Sequence, residues 1–469
     1  MKHIPAVAFA VGCAWAAVAS ANDGQLDLTF GNGGVALAGI TNTSNTLNGG
    51  PVLQADGKIL VCNGITDNGA SGADFFVARF SADGVPDDSF SFDGTTTIDF
   101  DGGTGGSAGG DICSAIAVQA DGKIVVVGVT STATSDGSDF AVARLNPDGT
   151  LDSSFGAGTG KAVIPIDLTP TGATDSATSL AIQADGKIVI AGTAVTATGS
   201  NVALVRLSAD GSRDSAFNLT GKVNFSFGAS TTFDETDNAF AIVIDSANRI
   251  LVSGTASYTG PDGVINQFAV ARVRPNGQLD ADFHASGRVA VPFDPGNGLS
   301  NAASYGLTIQ RDGKIVLVGA ANSSTSTTAN NDVALARLLA DGSLDASFGI
   351  GGRTLVPFDL EPNGADLGIA VAEQSNGKLV IVGAALNAAV TLGAAVRLDS
   401  DGTPDSSFGV LGKLTYDFGF GASMDQQLIR NLVLQGTQIV VSGIGYVPGG
   451  IDMYVARLSV DQIFADGFD

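Results

Sequence analysis

Aspartate is the residue of this chain best placed to do chemistry, because it recurs at one position of a repeated pattern. Of the 469 residues, 47 are acidic, and only Glu235, Glu361 and Glu373 are glutamates. Four aspartates stand thirteen residues before the Ile or Leu that opens a predicted strand: Asp111, Asp175, Asp237 and Asp366. Carboxylates gathered around one axis can bind calcium, which prefers oxygen ligands. The pattern predicts either an acidic ring that binds calcium or an aspartate that caps its own loop in each copy.

Other aspartates occur at two further places in the repeat. One group closes a predicted strand, at Asp99, Asp167, Asp294, Asp359 and Asp417. The other belongs to a turn, Asp-Gly-x-x-Asp-x-x-Phe-Gly, with a clear copy from Asp148 to Phe155. Calcium loops usually place their acids two residues apart, whereas the turn places them four apart. We therefore expect the turn carboxylates to accept backbone N–H groups and the phenylalanine to pack between repeats.

Histidine chemistry is almost excluded by composition. The chain has two histidines, His3 and His284, and His3 falls in a predicted signal peptide. The single remaining histidine argues against a histidine-based triad and a histidine metal site. A pair of carboxylates could still hydrolyse a glycosidic bond without histidine, but no one pair stands out among so many aspartates.

Seven arginines mark the repeat that must position these groups. Each is the next-to-last residue of a run such as AVARL or ALVRL, and consecutive copies are 60 to 66 residues apart. An enzyme does not need seven copies of a catalytic arginine, so we expect each one to pair with an aspartate of the adjacent turn. The seven are Arg79, Arg144, Arg206, Arg272, Arg337, Arg397 and Arg457.

Each repeat contains four short apolar or alternating runs separated by turn signals, which predict four β-strands. In the second repeat these are residues 114–119, 124–130, 140–145 and 161–167. The stretch QADGKIVVVG at 119–128 recurs with small changes, and its Asp-Gly is a strong hairpin signal. Four-stranded antiparallel units repeated radially form a β-propeller. The predicted fold class is therefore all-β, with seven propeller blades.

The two ends of the chain predict that the propeller closes into a ring. The segment GQLDLTFGNGGVALAGI at 24–40 resembles the turn and last strand of an internal repeat, GSLDASFGIGGRTLVPF at 342–358. The seventh repeat ends at its third strand, YVARLS. A strand at about 34–40 would complete the last blade, which removes the exposed sheet edges of an open array.

The two repeated motifs together resemble the delta-60 repeat family of bacterial β-propellers. The resemblance lies in DGK-I/L-x-x-x-G followed by V/A-x-A-R-L and DG-x-x-D-x-S-F-G, and it covers the whole chain after the predicted signal peptide. Repeat four departs at 244–250 and at His284, and repeat seven departs at 435–440. The resemblance implies a propeller in an exported protein, and it implies no mechanism.

The N-terminus predicts export. Lys2, an apolar run from Ile4 to about Val18 and the sequence Ala19-Ser20-Ala21 indicate a signal peptide of residues 1–21, cleaved after Ala21. A lipoprotein signal ending before Cys13 is the alternative. We expect residues 22–469 to be one propeller domain, secreted, periplasmic or at the cell surface.

Two cysteines remain after signal removal, Cys62 and Cys113. In an oxidising compartment they could form a disulfide worth roughly 4 kcal/mol, or they could remain two buried thiols. Two cysteines do not make a metal site.

Charge and loop variation bear on function. The formal net charge of −24 disfavours nucleic acid and anionic lipid as partners, and no segment after the signal is apolar enough to span a bilayer. Variable loops fall on the face opposite the repeated turns, and binding sites favour such loops. We therefore expect a monomeric, non-catalytic binding, adhesion or scaffold module for an extracellular glycan or protein. The alternative is a carboxylate-dependent glycan hydrolase or lyase on the same face.

Overall fold

The computed structural model describes residues 23–39, 49–66, 73–100, 110–131, 137–169, 174–228, 235–260, 263–294, 301–323, 330–358, 360, 364–386, 390–420, 427–447 and 450–459. The predicted signal peptide with Cys13, the aspartate Asp359 and residues 460–469 lie outside the described residues. Within the described part no helix has the length and hydrophobicity needed to cross a bilayer.

The described residues form β-strands joined by turns, with one 3₁₀ turn at Gly156–Gly158. The strands are β1 Val35–Leu37, β2 Gly49–Leu53, β3 Ile59–Thr66, β4 Ala73–Phe80, β5 Thr95–Ile98, β6 Ile112–Val118, β7 Ile124–Ser131, β8 Ser138–Leu145, β9 Lys161–Ile164, β10 Asp175–Ile182, β11 Ile188–Val195, β12 Ser200–Leu207, β13 Lys222–Phe225, β14 Glu235–Ile244, β15 Ile250–Gly260, β16 Gly263–Val273, β17 Arg288–Val291, β18 Ala302–Ile309, β19 Ile315–Asn322, β20 Asn331–Leu338, β21 Arg353–Val356, β22 Asp366–Glu373, β23 Leu379–Leu386, β24 Thr391–Leu398, β25 Lys413–Tyr416, β26 Gln427–Gln435, β27 Gln438–Val447 and β28 Gly450–Leu458.

These strands pair as antiparallel meanders of four. We number the meanders in chain order: set 1 is β2–β5, set 2 β6–β9, set 3 β10–β13, set 4 β14–β17, set 5 β18–β21, set 6 β22–β25, and set 7 β26–β28 with β1. Sets 3 and 4 share one eight-stranded sheet through a single parallel bridge between Ser200 and Thr236, so the hydrogen-bonded sheets number six. The prediction of an all-β chain built from four-stranded antiparallel sheets is confirmed.

The first strand of every set carries an irregularity in its pairing with the second strand. In sets 2 to 7 one extra residue bulges out of the ladder, and in set 1 Gly50 and Pro51 interrupt it. A bulge leaves the extra residue unpaired and re-aims its side chain. The bulge residues of sets 2 to 7 are Ser114, Thr178, Phe240, Tyr305, Ile369 and Arg430.

The last glycine of the repeated motif makes room for this bulge. In set 2 it is Gly128, the end of QADGKIVVVG, and it pairs with Cys113 just before the bulge. A β-carbon at Gly128 would lie 1.8 Å from the carbonyl oxygen of Ile112, and one at Gly254 in set 4 would lie 1.8 Å from that of Asn238. No other residue fits so close to a backbone oxygen. The repeat therefore needs a glycine at this position of the second strand for the bulge to form.

Hydrophobic cores fill the spaces between consecutive sets. Seven clusters of buried residues are present in the described part of the chain, and each combines side chains of two neighbouring sets. One of them joins set 7 to set 1 and contains Val440 and Val455 together with Ile59 and Phe76. The first strands also pack in succession, β2 against β6 and so on to β26, and β26 packs against β2.

The seven repeated arginines are buried latches, as their sequence context predicts. In each set Nε of the arginine donates to Oδ2 of an aspartate in the following turn, at 2.5–2.9 Å. The guanidinium also lies 4.4–5.0 Å from the ring centre of the turn phenylalanine. The pairs are Arg79–Asp87, Arg144–Asp152, Arg206–Asp214, Arg272–Asp280, Arg337–Asp345, Arg397–Asp405 and Arg457–Asp27.

In six of the seven latches Nη1 of the arginine donates to a carbonyl oxygen of the next set instead of making a second bond to the same carboxylate. Arg206 Nη1 donates to the carbonyl oxygen of Pro275 in set 4 at 2.5 Å. Arg272 Nη1 does the same to Ala340 in set 5, also at 2.5 Å. A latch therefore closes one turn and ties it to its neighbour. The second guanidinium donor therefore bridges two sets and does not bind the same carboxylate a second time.

The N-terminal segment supplies the missing part of set 7. Strand β1 pairs with β28, and Asp27 accepts the Nε of Arg457 while Phe30 takes the place of the turn phenylalanine. Arg457 Nη1 then donates to the carbonyl oxygen of Ala82 in set 1 at 2.9 Å. The predicted pairing of the N-terminal strand with the last repeat is therefore observed.

Cys62 on β3 and Cys113 on β6 form a disulfide between sets 1 and 2. It covers a chain separation of 51 residues and would contribute roughly 4 kcal/mol by the chain-entropy argument. Of the two alternatives left open by the sequence, the structure contains the disulfide.

The glycine opposite the bulge gives a direct test of this packing. We expect Gly254→Ala to lower the free energy of unfolding by about 1–3 kcal/mol, since the new methyl overlaps a backbone oxygen. Gly260→Ala on the same strand is the matched control, because its nearest neighbouring atom lies at 3.5 Å. Urea unfolding of both variants measures the difference, and equal losses would contradict the steric explanation.

The latch aspartates predict a loss of stability in acid. Burial alone would raise the pKa of Asp87, but hydrogen bonds from Ser89 and Lys58 and the charge of Arg79 lower it to about 2. The same kinds of contact lower the pKa values of Asp152, Asp345 and Asp405. An unfolded aspartate takes up its proton near pH ~4, so below that pH the unfolded state binds more protons than the folded state. We expect the free energy of unfolding to hold above pH ~4 and to fall as pH drops towards ~2. Denaturant unfolding across this range measures it, and a flat profile would show that the latches do not contribute.

Candidate functional site

The four aspartates of the predicted acidic ring are buried, and each accepts a hydrogen bond from a backbone N–H group. Asp111 Oδ2 accepts the N–H of Phe100 at 2.7 Å, and Asp237 Oδ2 accepts that of Phe227 at 2.7 Å. Asp175 Oδ2 accepts from Ile166 at 2.9 Å and Asp366 Oδ2 from Phe358 at 2.7 Å. Each carboxylate thus ties the start of one set to the chain leaving the set before it. This is the loop-capping alternative, and calcium binding by a ring of four stays a prediction.

Two of these four aspartates belong to local clusters of three carboxylates. Asp111 lies with Asp74 and Asp99, and Asp175 lies with Asp139 and Asp167. In each cluster one carboxylate oxygen of every member lies within 4.8 Å of the others. Of the remaining aspartates predicted to end a strand, Asp294 and Asp417 join no such cluster among the described residues.

The bulge residues form a second constellation, on strands that pack side by side. Phe240 of set 4 and Tyr305 of set 5 meet edge to face, with ring centres 5.3 Å apart. Burial raises the pKa values of Tyr305 and Tyr454, and the charge of Arg430 in set 7, two sets from Tyr305, opposes that rise. Two aromatic rings and one guanidinium therefore occupy equivalent positions on the first strands.

Arg430 differs from the seven latch arginines in having no acidic partner among the described residues. No hydrogen bond or ion pair joins it to any described residue, and its Nε is buried without a hydrogen-bond partner. Burial lowers the pKa of Arg430, and burial also raises the pKa of Tyr305. Burying an unpaired cation costs free energy, and here it does so in a chain with a net charge of −24.

This arrangement is suited to recognition of an anion. A guanidinium presents several N–H donors in a plane that matches a carboxylate, and a desolvated site strengthens the pair. The neighbouring rings of Phe240 and Tyr305 offer apolar and polar contact area beside the cation. We call Phe240, Tyr305 and Arg430 the bulge site.

Phe420, Tyr258 and Tyr446 are aromatic residues that do not occupy bulge positions. Phe420 packs in the core of set 7, with its ring centre 5.2 Å from that of Tyr454. Tyr258 is on β15 and Tyr446 on β27, and Phe233 lies outside the described residues. The bulge site was missed because a bulge cannot be seen in a strand sequence alone. The usable signal was the glycine that ends each second-strand motif, opposite the bulge.

Six segments of the chain are similar to a β-propeller family of unknown function. Six segments match the family described as "Domain of unknown function (DUF5122) beta-propeller", at residues 54–90, 119–155, 183–217, 248–283, 310–348 and 374–408. Each match covers the second and third strands of a set and the latch turn. No curated protein matches the chain.

Among solved structures the chain is similar to three carbohydrate-active proteins at low identity. Polysaccharide lyase Uly1 is 12% identical, with 92% of each chain covered and a TM-score of 0.46. The GH93 α-L-arabinofuranosidase of Fusarium graminearum is 9% identical, with 90% of this chain and 97% of the other covered and a TM-score of 0.44. The Bombyx mori GH32 β-fructofuranosidase BmSUC1 is 12% identical, with 91% and 92% covered and a TM-score of 0.33. At these values the likenesses do not bear on activity.

The unpaired state of Arg430 has a measurable consequence. We expect Arg430→Met to leave the free energy of unfolding unchanged or raised, because the variant no longer buries a lone cation. Arg206→Met, at a latch, should cost about 3 kcal/mol or more, since it strands the buried carboxylate of Asp214. Urea unfolding at neutral pH compares them, and a large loss for Arg430→Met would show that the residue has a structural partner.

Proposed function

We propose that this chain is an exported, monomeric seven-bladed β-propeller that binds an acidic glycan, without catalysis, at the bulge site. The observation that carries the proposal is Arg430, a partly buried cation without an acidic partner among the described residues. A glycan with a uronate carboxylate supplies that partner, and its sugar ring supplies a surface for the two aromatic side chains. An acidic segment of an extracellular protein is the other partner class that could pair with the local positive charge of Arg430.

The seven-bladed ring rests on the architecture of the sets. Seven meanders of four strands are stitched by seven latches, and the core between set 7 and set 1 is of the same kind as the others. The family matches number six because the seventh latch turn, with Asp27 and Phe30, lies at the N-terminus, far in sequence from strands β27 and β28. We assign the repeat type to the delta-60 family on the motifs quoted above.

Export rests on two features of different kinds. The N-terminal sequence predicts a signal peptide cleaved after Ala21, and the disulfide between Cys62 and Cys113 is of a kind that persists in oxidising compartments. The proposed site is therefore exposed to extracellular or periplasmic polymers.

The position of the site within each first strand favours binding from the variable face. Tyr305 and Arg430 stand three residues after Ala302 and Gln427, where the pairing with the second strand begins, and Phe240 stands five residues after the corresponding start at residue 235. The variable connections between sets enter at that same end. A ligand approaching the bulge site would therefore also meet the loops that differ most between repeats, which is how a common scaffold acquires its own specificity.

The test is a glycan array probed with purified residues 22–469, with product release measured in parallel. We expect binding to uronate-containing glycans and none to their neutral counterparts. Arg430→Met should weaken binding about 10- to 100-fold, the worth of a charge-assisted hydrogen bond. Arg213→Met, at an exposed position in a latch turn, is the matched control and should bind like the parent protein.

Four results would overturn the proposal. Equal binding of neutral and acidic glycans, or full binding by Arg430→Met, would remove the bulge site from recognition. Binding to no glycan would favour the acidic protein segment. Release of a shortened product would favour the carboxylate-dependent hydrolase or lyase.

A further inference from the structure

A cluster of three carboxylates spans the boundary between set 2 and set 3. Asp139 is the second residue of β8, Asp167 follows β9, and Asp175 is the first residue of β10. One carboxylate oxygen from each lies within 4.8 Å of the others. The three acids thus reach one point from three separate stretches of chain.

One oxygen of the cluster is buried with nothing to bind it. Asp175 is completely buried, and its Oδ2 accepts the N–H groups of Ile166 and Asp167 at 2.9 and 3.1 Å. Its Oδ1 is buried and has no hydrogen-bond partner. A buried carboxylate oxygen without a donor costs free energy. Burial raises the pKa of Asp175, and so does the nearby charge of Asp167; the hydrogen bonds from the two backbone N–H groups lower it but do not cancel the rise. A cation between the three carboxylates would satisfy this oxygen.

The nearest basic side chain leaves the cluster without a direct ion pair at Asp175. Lys222 lowers the pKa of Asp175 through its charge. Its Nζ, however, donates to the carbonyl oxygen of Pro165 at 2.7 Å. The Lys222 ammonium therefore binds the backbone just after β9, and no ion pair joins it to Asp175 in the described chain.

The size and chemistry of the cluster fit calcium. Calcium binds oxygen at about 2.4 Å, so ligands on opposite sides of the ion are about 4.8 Å apart, and the three carboxylate oxygens all lie within that distance of one another. Magnesium would need a tighter octahedron at about 2.1 Å. The donors are all carboxylates, the hard ligands that calcium prefers, and the exposed Asp167 gives an ion access from solvent.

We infer that Asp139, Asp167 and Asp175 bind one calcium ion that links set 2 to set 3 at the end of the sets opposite the latches. This site is separate from the bulge site and does not depend on the proposed glycan binding. The same grouping recurs one boundary earlier with Asp74, Asp99 and Asp111, so the inference applies to a repeated position.

The next boundary provides a natural comparison. Asp237 occupies the position of Asp175 and makes the same bond, to the N–H of Phe227 at 2.7 Å. The positions of Asp139 and Asp167 are taken there by Asn201 and Gly228, as the strand registers show. Asp237 thus has the same backbone role without two further carboxylates.

The test uses chelator-treated protein, residues 22–469. Equilibrium dialysis measures the number of calcium ions bound per chain, and thermal unfolding measures the rise in the unfolding midpoint that calcium produces. We expect Asp175→Asn to bind one calcium ion fewer per chain than the parent and to lose part of the rise in unfolding midpoint that calcium produces. Asp237→Asn, the matched control, should bind as many ions as the parent. Both asparagines keep an oxygen that can accept the backbone N–H, so neither substitution removes the capping bond.

A second variant guards against loss of fold. Asp167→Asn changes an exposed side chain and should also bind one ion fewer, with the far-ultraviolet circular dichroism of the parent. A parent protein that binds no calcium, or Asp175→Asn and Asp167→Asn variants that bind as many ions as the parent, would overturn the inference. Loss of an ion in Asp237→Asn with none lost in Asp167→Asn would also overturn it and would favour the ring of four aspartates.

Discussion

The buried bond between each repeated arginine and the aspartate of its turn is the interaction on which the rest of the structure depends. One guanidinium closes its own turn, stacks on a phenylalanine and donates to the backbone of the next set, as Arg206 does with Asp214, Phe217 and Pro275. A lysine of the hairpin often shares the carboxylate, for example Lys123 with Asp152 at 2.8 Å. Each set therefore needs its neighbour to satisfy its own buried charge. This dependence explains why N-terminal residues return to complete set 7, where Arg457 would otherwise be left without Asp27.

Latching at one end of every set leaves the first strands free to differ. Their geometry is set by the glycine of the second strand, which lets the bulge form whatever residue occupies it. Ser114 and Ile369 stand where Tyr305 and Arg430 stand in other sets, with the same pairing around them. A position whose backbone is fixed and whose side chain is unconstrained is suited to recognition. Architecture and specificity are thus carried by different strands of the same repeat.

Much of the fold could be predicted from the sequence, because its determinants are local or repeated. The Asp-Gly turns, the alternating strands and the arginine at the end of the third strand occur in nearly every copy, so each reading is checked several times over. The carboxylates of the proposed calcium site and the residues of the bulge site could not be placed in this way. Asp139 and Asp175 are 36 positions apart in the sequence, and only the packing of set 2 on set 3 brings them together. In the sequence, Arg430 cannot be distinguished from other strand residues. Its role depends on the bulge and on the lack of a carboxylate partner among the described residues, which only the structure reveals.

The two ends of the sets also differ in how they handle negative charge. At the latch end, arginine and lysine neutralise buried aspartates, so that the pKa of Asp152 or Asp345 is lowered despite burial. At the opposite end the pKa of Asp175 is raised by burial, and no arginine or lysine forms an ion pair with it in the described chain. The protein therefore holds its permanent ion pairs where the scaffold must not change. Among the described residues the cation of Arg430 and the carboxylate of Asp175 have no oppositely charged partner, and both lie on the first strands, where we propose that a ligand or an ion from solution supplies one.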